Sequence, residues 1–399
     1  MRQLISYFEA REIVLDSIEP LSAERIPLSQ ALGRVLAEVI VSDDNIPPFD
    51  NSAMDGYALR AADVDEAGVV LPCVGEIAAG SVEGTVLQPG TCVAVMTGAP
   101  IPLGADAVVP VEKTRRLDSD IQFDVVPNQG DHVRPAGGDV QVGERVLERG
   151  TAITPGIVGV LASLGYAEVA VGRRPRVAVV TTGNELVGVG ERPGPGQIRD
   201  SSASTLAAFV QRAGGTVVGP YRARDELAEL RRVLEDALGA DVVAVAGGVS
   251  VGEYDLVKQV LDELGLELFF WRVRQRPGKP LAFGRIGRIP VFGLPGNPVS
   301  SAVCFQEYVL PALAKMQGNR QTIQPLARGI LVSEVMKVRG LHTFARGVGR
   351  WADGRLLIDP LAKQGSHMAS GLAHANGLIH LPEELDAAPA GTEVAFEWL

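Results

Sequence analysis

Two stretches, RVAVVTTGN (Arg176–Asn184) and DVVAVAGGVSVG (Asp241–Gly252), decide how the middle of this chain folds. Each is a run of β-branched and small apolar residues that ends in a glycine turn. A strand with no polar alternation is expected where both faces of a sheet are covered, as in parallel sheets. The residues around them fit that setting. After the first run the pattern predicts a helix from about Ser202, with Asp200 or Ser201 as its cap and Gly214–Gly215 as its stop. The strand Thr216–Val218 follows. Asp225 then caps a helix whose Leu227, Leu230, Leu234 and Leu238 form one stripe, ended by Gly239. After the second run come a helix through Leu264, the strands Leu266–Val273, Leu281–Phe283 and Val291–Leu294, and a helix from about Val299 to Met316. This alternation predicts a doubly wound, parallel-sheet α/β domain over residues 175–317, with right-handed crossovers. Ligands bind such sheets at the carboxyl ends of their strands.

Working outward, 399 residues exceed one ordinary core, so several domains are expected. Residues 1–45 open with a helix capped by Ser6 that carries Tyr7, Phe8, Val14 and Leu15 on one side. Residues 143–174 hold a helical stretch at Ile157–Leu164, ended by Gly165, and the strand Glu168–Val171. These two pieces read as one discontinuous N-terminal α+β domain, with a β-rich lobe inserted at 46–142. From 318 to 399 the short strands Gly329–Val332, His342–Gly347, Leu356–Asp359, Gly377–His380 and Glu393–Trp398 predict a small β-barrel.

The net charge of −11, with no basic run, argues against broad nucleic-acid binding, which needs clustered Lys and Arg. Cys73, Cys92 and Cys304 form no CxxC pair and suggest neither a disulfide framework nor a zinc site. His367, His374 and His380 are loosely spaced and read as ordinary surface or core residues. No apolar run approaches the ~18 residues that span a bilayer. Glu9 and Glu12 interrupt the first apolar stretch, so no signal peptide is expected there, and a cytoplasmic protein is expected.

Several motifs carry candidate chemistry. In the loop Gly247–Gly252, Gly247, Gly248 and Gly252 with Ser250 let backbone N–H groups approach an anion at a helix N-terminus. Three residues on, Asp255 either caps that helix or binds a Mg²⁺ bridging phosphate oxygens. Glu185, in TTGNEL at the end of the first strand, is a second candidate for a metal or a nucleotide hydroxyl. Asp225 is explained by its cap and is a weaker candidate. Arg272, Arg274 and Arg276 would share one face of a strand, with Lys279 beyond Pro277-Gly278. In an acidic chain, cations gathered in this way read as an oxyanion clamp. The junction Leu294-Pro295-Gly296-Asn297-Pro298-Val299-Ser300 repeats the strand–turn–helix theme and offers the Ser300 hydroxyl. In the β-rich lobe, PPFDNSAMDGYA (Pro47–Ala58) either satisfies its own backbone or delivers Asp50, Asp55 and Tyr57 to a neighbouring site.

Seven ordered motifs, PPFDNSAMDGYA, MTGAP (Met96–Pro100), RPAGGD (Arg134–Asp139), TGNEL, GGVSVG, RPGKP and LPGNPVSS, resemble those of the molybdopterin molybdenumtransferases, the MoeA and gephyrin E-domain family. The resemblance spans essentially the whole chain. It implies an elongated homodimer with composite active sites and the four regions outlined above. It also implies the last step of molybdenum-cofactor synthesis: molybdate is inserted into adenylylated molybdopterin and AMP leaves in a Mg²⁺-dependent reaction. Asp255, Glu185 and Asp225 then fall on active-site acids, the first two as Mg²⁺ ligands. Arg272, Arg276, Arg346 (in Phe344–Gly347) and Ser366 (in Gly365–His367) fall on residues that hold molybdate and anionic groups. Asp55, Thr97 and Asp139 fall on residues brought from the partner subunit. Arginine stands at 272 and 276 where the family commonly has lysine, which keeps the charge and changes the geometry. The resemblance also suggests the preceding adenylyltransferase as a partner. The competing readings are a molybdopterin-binding scaffold without turnover, against which the intact acids and arginines weigh, and that adenylyltransferase itself, which the extra domains disfavour.

Overall fold

The computed structural model describes residues 2–80, 86–248 and 256–399. Val249–Asp255, and with them the candidates Ser250, Gly252 and Asp255, lie outside the described residues. The chain divides into two compact units, one of Met1–Glu38, Arg149–Thr154 and Glu168–Leu399, the other of Val39–Glu148 and Pro155–Ala167.

The first unit is built on a seven-stranded sheet. Its strands are β1 (Arg2–Ile5), β2 (Arg176–Thr182), β3 (Thr216–Ala223), β4 (Val242–Ala246), β5 (Glu267–Val273), β6 (Ala282–Ile286) and β7 (Ile289–Leu294), in the order β1-β5-β6-β7-β4-β2-β3. Alternation explains the layering. Val177 and Val179 of β2, with Val242 and Ala244 of β4, face one core, which includes Phe270, Phe292 and Phe305. Ala178, Val180, Val243 and Val245 face the other, against Leu230, Leu234 and Val257. Both faces are covered, so the strands carry no polar alternation.

Several expectations need correction. The sheet is not wholly parallel, because β6 runs antiparallel to both β5 and β7. Its link to β7 is the two-residue turn Gly287–Arg288, too short for a crossover and suited only to a hairpin. The N-terminus adds an edge strand, β1 beside β5, ahead of the helix Tyr7–Asp16. That helix is capped by the Ser6 hydroxyl as expected, but it buries Tyr7, Ala10 and Val14 while Phe8 is exposed. The helix Leu227–Ala237 buries Leu230, Val233, Leu234 and Ala237 and leaves Leu227 exposed. Its N-cap position is Glu226, not Asp225, and no side chain caps it.

The C-terminal strands close as a barrel: β8 (Ala327–Leu331), β9 (His342–Ala352), β10 (Arg355–Pro360), β11 (Gly377–Leu381) and β12 (Glu393–Trp398) pair in the order β9-β10-β8-β12-β11, and β11 returns to β9. Leu331, Ile358, Ile379 and Phe396 fill its centre. The two-residue strand Gln275–Arg276 adds to β9, which ties the segment after β5 to the barrel.

The second unit holds a six-stranded sheet around Tyr57, Leu59, Val93, Val109 and Phe123. Cys73 and Cys92, remote in sequence, lie opposite each other on adjacent parallel strands as free thiols. Burial, followed by the nearby Cys73, pushes the Cys92 thiol up to about 12. Among the described residues, no helix is long and apolar enough to cross a membrane.

Candidate active site at the carboxyl ends of the sheet

Four neighbouring parallel strands, β3, β2, β4 and β7, point their carboxyl ends at one cavity of about 990 Å³. Each strand contributes the residues that follow it. From β2 come Thr181, Thr182, Gly183 and Glu185; from β3 comes Asp225; from β4 come Gly247 and Gly248; from β7 come Pro295, Gly296 and Asn297. Asp200, Arg199 and His367 complete the wall.

The glycine turn after β4 is required by geometry. Gly247 has φ +99° and Gly248 φ +62°, a region that side-chain-bearing residues avoid. A Cβ at 247 would stand 2.6 Å from the Thr182 carbonyl oxygen, and one at 248 would stand 2.3 Å from Val257 Cγ2. The Thr182 hydroxyl is buried against this turn without a hydrogen-bond partner among the described residues. A buried hydroxyl in that state takes its partner from beyond the described residues.

Of the acids, Asp200 is committed: its Oδ2 accepts from Thr181 Oγ1 at 2.6 Å, and its Oδ1 caps the helix Ser201–Arg212 through the Ala203 amide at 2.9 Å. Glu185 and Asp225 are exposed to the cavity, and their carboxylates form no hydrogen bond or ion pair among the described residues. The Asp225 backbone amide donates to Asn184 Oδ1 at 3.2 Å. Losing the cap assigned to it leaves its side chain available.

A second cavity, about 1050 Å³, adjoins the first and shares Pro280, Pro295 and Asn297 with it. Its wall holds Arg276, Lys279, Ser300 and Ser366. Acids outnumber the one arginine, Arg199, in the first cavity, whereas in the second Arg276 and Lys279 stand with the exposed acids Glu334 and Asp359.

The expected row of three arginines does not form. Arg272 adopts φ +67°, which breaks the strand's alternation, and its guanidinium lies over the Trp271 ring, 4.3 Å from the centroid. Arg274 turns to Glu383, with Nε 2.8 Å from Oε2, and also donates to the Leu4 carbonyl. Arg346 likewise does not open onto either cavity. It is only 1% exposed and donates to the carbonyls of Lys363, Gly365 and Met368 at 2.8–3.2 Å. It shapes the loop that presents Ser366.

In the second unit, three motifs distant in sequence clasp one another. Asp55 Oδ1 accepts from both the amide and the hydroxyl of Thr97, at 2.6 and 2.8 Å. The Asp139 and Gly137 amides donate to Ile46 and Pro47, and the Ala136 amide donates to Asp50 Oδ1. The Thr97 amide, then its hydroxyl, hold the exposed Asp55 carboxyl below its ordinary value.

Sequence reasoning missed Arg199 and His367 in the first cavity. Arg199 sits in no glycine-flanked motif, and His367, in Gly365–His367, reads from sequence as an ordinary surface or core residue; only the fold brings them to the strand ends.

A doubly wound sheet that presents glycine turns and uncommitted acids at its strand ends, beside a pocket that carries Arg276 and Lys279, fits the class of anion-binding α/β proteins. Comparison with known proteins narrows that class. Residues 5–165 match the MoeA N-terminal region (domain I and II), 178–315 a probable molybdopterin binding domain, and 328–399 the MoeA C-terminal region (domain IV). The chain is 37% identical over 398 residues to molybdopterin molybdenumtransferase 2 of Mycobacterium tuberculosis, covering 97% of each chain. It is 37% identical over 399 residues to the molybdopterin molybdenumtransferase of Haemophilus influenzae, covering 99% of this chain and 98% of that one. The crystal structure of the molybdopterin biosynthesis MoeA protein from Pyrococcus horikoshii superposes with a TM-score of 0.88 at 30% identity, over 99% of this chain and all of that one. The chain belongs to the MoeA family of molybdopterin molybdenumtransferases.

Proposed function

We propose that this chain inserts molybdenum from molybdate into adenylylated molybdopterin and releases AMP, completing the molybdenum cofactor. The observation that carries this reading is the pair of adjoining cavities joined at Pro280, Pro295 and Asn297, one glycine-lined with the uncommitted acids Glu185 and Asp225, the other with Arg276 and Lys279 gathered beside Ser300 and Ser366 on its wall. The first suits the adenylylated phosphates, with the Gly247–Gly248 turn approaching their oxygens. The second suits the oxyanion, with Arg276, Lys279, Ser300 and Ser366 around it. The shared residues would then hold the substrate across both.

Glu185 and Asp225 offer only oxygen donors, and neither carboxylate is committed elsewhere, which fits a hard divalent cation such as Mg²⁺. When bound there, the cation would neutralise charge on the phosphate oxygens. Asp255 belongs to the same proposal by resemblance. Among the described residues, no side chain of the first cavity is an evident nucleophile. The chain's own work is therefore positioning and electrostatic stabilisation. A homodimer whose Asp55, Thr97 and Asp139 reach the partner's site, a cytoplasmic setting, and hand-over from the preceding adenylyltransferase belong to the same reading.

The test is AMP release by the purified chain from adenylylated molybdopterin with molybdate and Mg²⁺. Glu185→Gln and Asp255→Asn should each reduce the rate by about 10²-fold or more while the fold persists by circular dichroism. Unchanged, Mg²⁺-independent release by both variants would contradict the assignment.

A further inference from the structure

The helix that begins at Pro298 carries an acid where an apolar residue is expected. In Ser300–Ala314, Glu307 stands among Val, Cys, Phe, Tyr and Leu. The helix widens there into a π-turn, Phe305–Val309, whose five residues are all buried. Such turns interrupt helices at a cost and recur at functional sites.

Glu307 meets two groups from the barrel, His380 of β11 and Glu397 of β12. All three side chains are at most one-tenth exposed. His380 Nε2 lies 3.7 Å from Glu307 Oε1 and 3.3 Å from Glu397 Oε2. The three facing atoms all fall within 4.8 Å of one another. Each carboxylate has its other oxygen held from behind. Tyr7 donates its hydroxyl to Glu307 Oε2 at 2.6 Å, and Gln306 Nε2 donates to Glu397 Oε1 at 2.7 Å. Tyr7 in turn accepts from Arg11, and Gln306 from Arg212, so the nearest guanidinium groups stand one residue further out. Glu307 Oε1 itself is buried with no hydrogen-bond partner among the described residues.

Two ionised carboxylates this close, away from water, repel each other, so either a proton or a cation lies between them. We propose that Glu307 Oε1, His380 Nε2 and Glu397 Oε2 form a structural site for one divalent transition ion of the zinc, manganese or iron kind, separate from the substrate cavities. Two of the three spacings suit it as they stand. An ion with bonds of about 2.1 Å sets tetrahedral ligands about 3.4 Å apart, which 3.3 and 3.7 Å bracket, and the two carboxylate oxygens, within 4.8 Å of each other, would draw in on the ion. The donors suit it too, since an imidazole with carboxylates favours such ions over Mg²⁺ or Ca²⁺. Tyr7 and Gln306 then serve as the outer partners that orient metal-bound carboxylates. The ion would fasten the π-turn of the central domain to two barrel strands, a structural rather than a catalytic task.

Metal content of the full chain, purified without chelator, tests this, together with Zn²⁺ titration of chelator-treated protein followed by thermal melting. The expected result is about one equivalent per chain and a Tm rise of about 5 °C or more with saturating Zn²⁺. Co²⁺ in its place should give the visible absorption of a tetrahedral site. Glu307→Gln and His380→Gln should each weaken Zn²⁺ binding more than about tenfold, while Glu185→Gln, in the substrate cavity, should leave this binding unchanged. If a variant fails to fold, the wild-type measurements still decide. Metal-free protein whose melting ignores both Zn²⁺ and chelator would overturn the proposal and leave a proton as what holds the carboxylates together, as would zinc binding that Glu185→Gln abolishes and Glu307→Gln does not.

Discussion

At the scale of residues, the same side-chain types serve opposite ends here, and hydrogen-bond accounting separates them. Arg276 faces a cavity, whereas Arg346 spends its donors on three carbonyls of one loop. Arg346→Lys should therefore raise the molybdate KM indirectly, by loosening Lys363–Met368. Greater proteolytic susceptibility of that loop is the accompanying readout, and an unchanged loop would contradict it. Asp241 is another structural acid. Burial pushes its carboxyl up, but the bidentate Arg173 pair at 2.8 and 2.9 Å and the Arg176 amide at 2.7 Å outweigh that, and the net shift is downward. A depressed value means that the stabilisation is complete above the ordinary carboxylate value of about 4 and fades as pH falls through the lower folded value. Asp241→Asn should cost about 1–3 kcal/mol at neutral pH in denaturant unfolding. The gap to wild type should narrow below about pH 4; a gap that widens in acid would contradict the pairing.

At the scale of elements, the glycine turn after β4 is the part the sequence states most clearly. Gly248→Ala must adopt φ +62° and meet Val257 Cγ2 at 2.3 Å. Gly265, at φ +86°, has open space around its missing Cβ. Gly248→Ala should therefore lose about 1 kcal/mol more stability than Gly265→Ala in chemical denaturation, and with it ligand affinity. Equal losses would show that the turn is not tightly packed. The strands β2, β4 and β7 were legible because burial on both faces leaves unbroken apolar runs. The direction of β6 was not, because a hairpin and a crossover give the same apolar runs and differ only in the short Gly287–Arg288 link. The arginine row failed for a related reason. Alternation holds only while the backbone stays extended, and Arg272 at φ +67° ends it. The Glu307, His380 and Glu397 cluster was illegible as a group, since its members come together only when the barrel docks on the helix. A lone acid within an apolar helical run was its one local signal.

At the scale of the molecule, the proposed function asks acids and cations to work in adjoining cavities, with residues of the second unit completing the partner's site. Mixing Asp55→Ala and Glu185→Ala subunits, each inactive alone, should restore part of the activity in exchanged dimers. Persistent inactivity despite proven exchange would count against shared sites. The central claim is the division of labour between the two cavities, and steady-state AMP release with molybdate as the varied substrate tests it most directly. Arg276→Ala should raise the molybdate KM about tenfold or more with a smaller change in kcat, whereas Glu185→Gln should lower kcat with little change in that KM. The opposite split, or an Arg276→Ala enzyme with unaltered molybdate dependence, would contradict the assignment of oxyanion and phosphates to separate cavities.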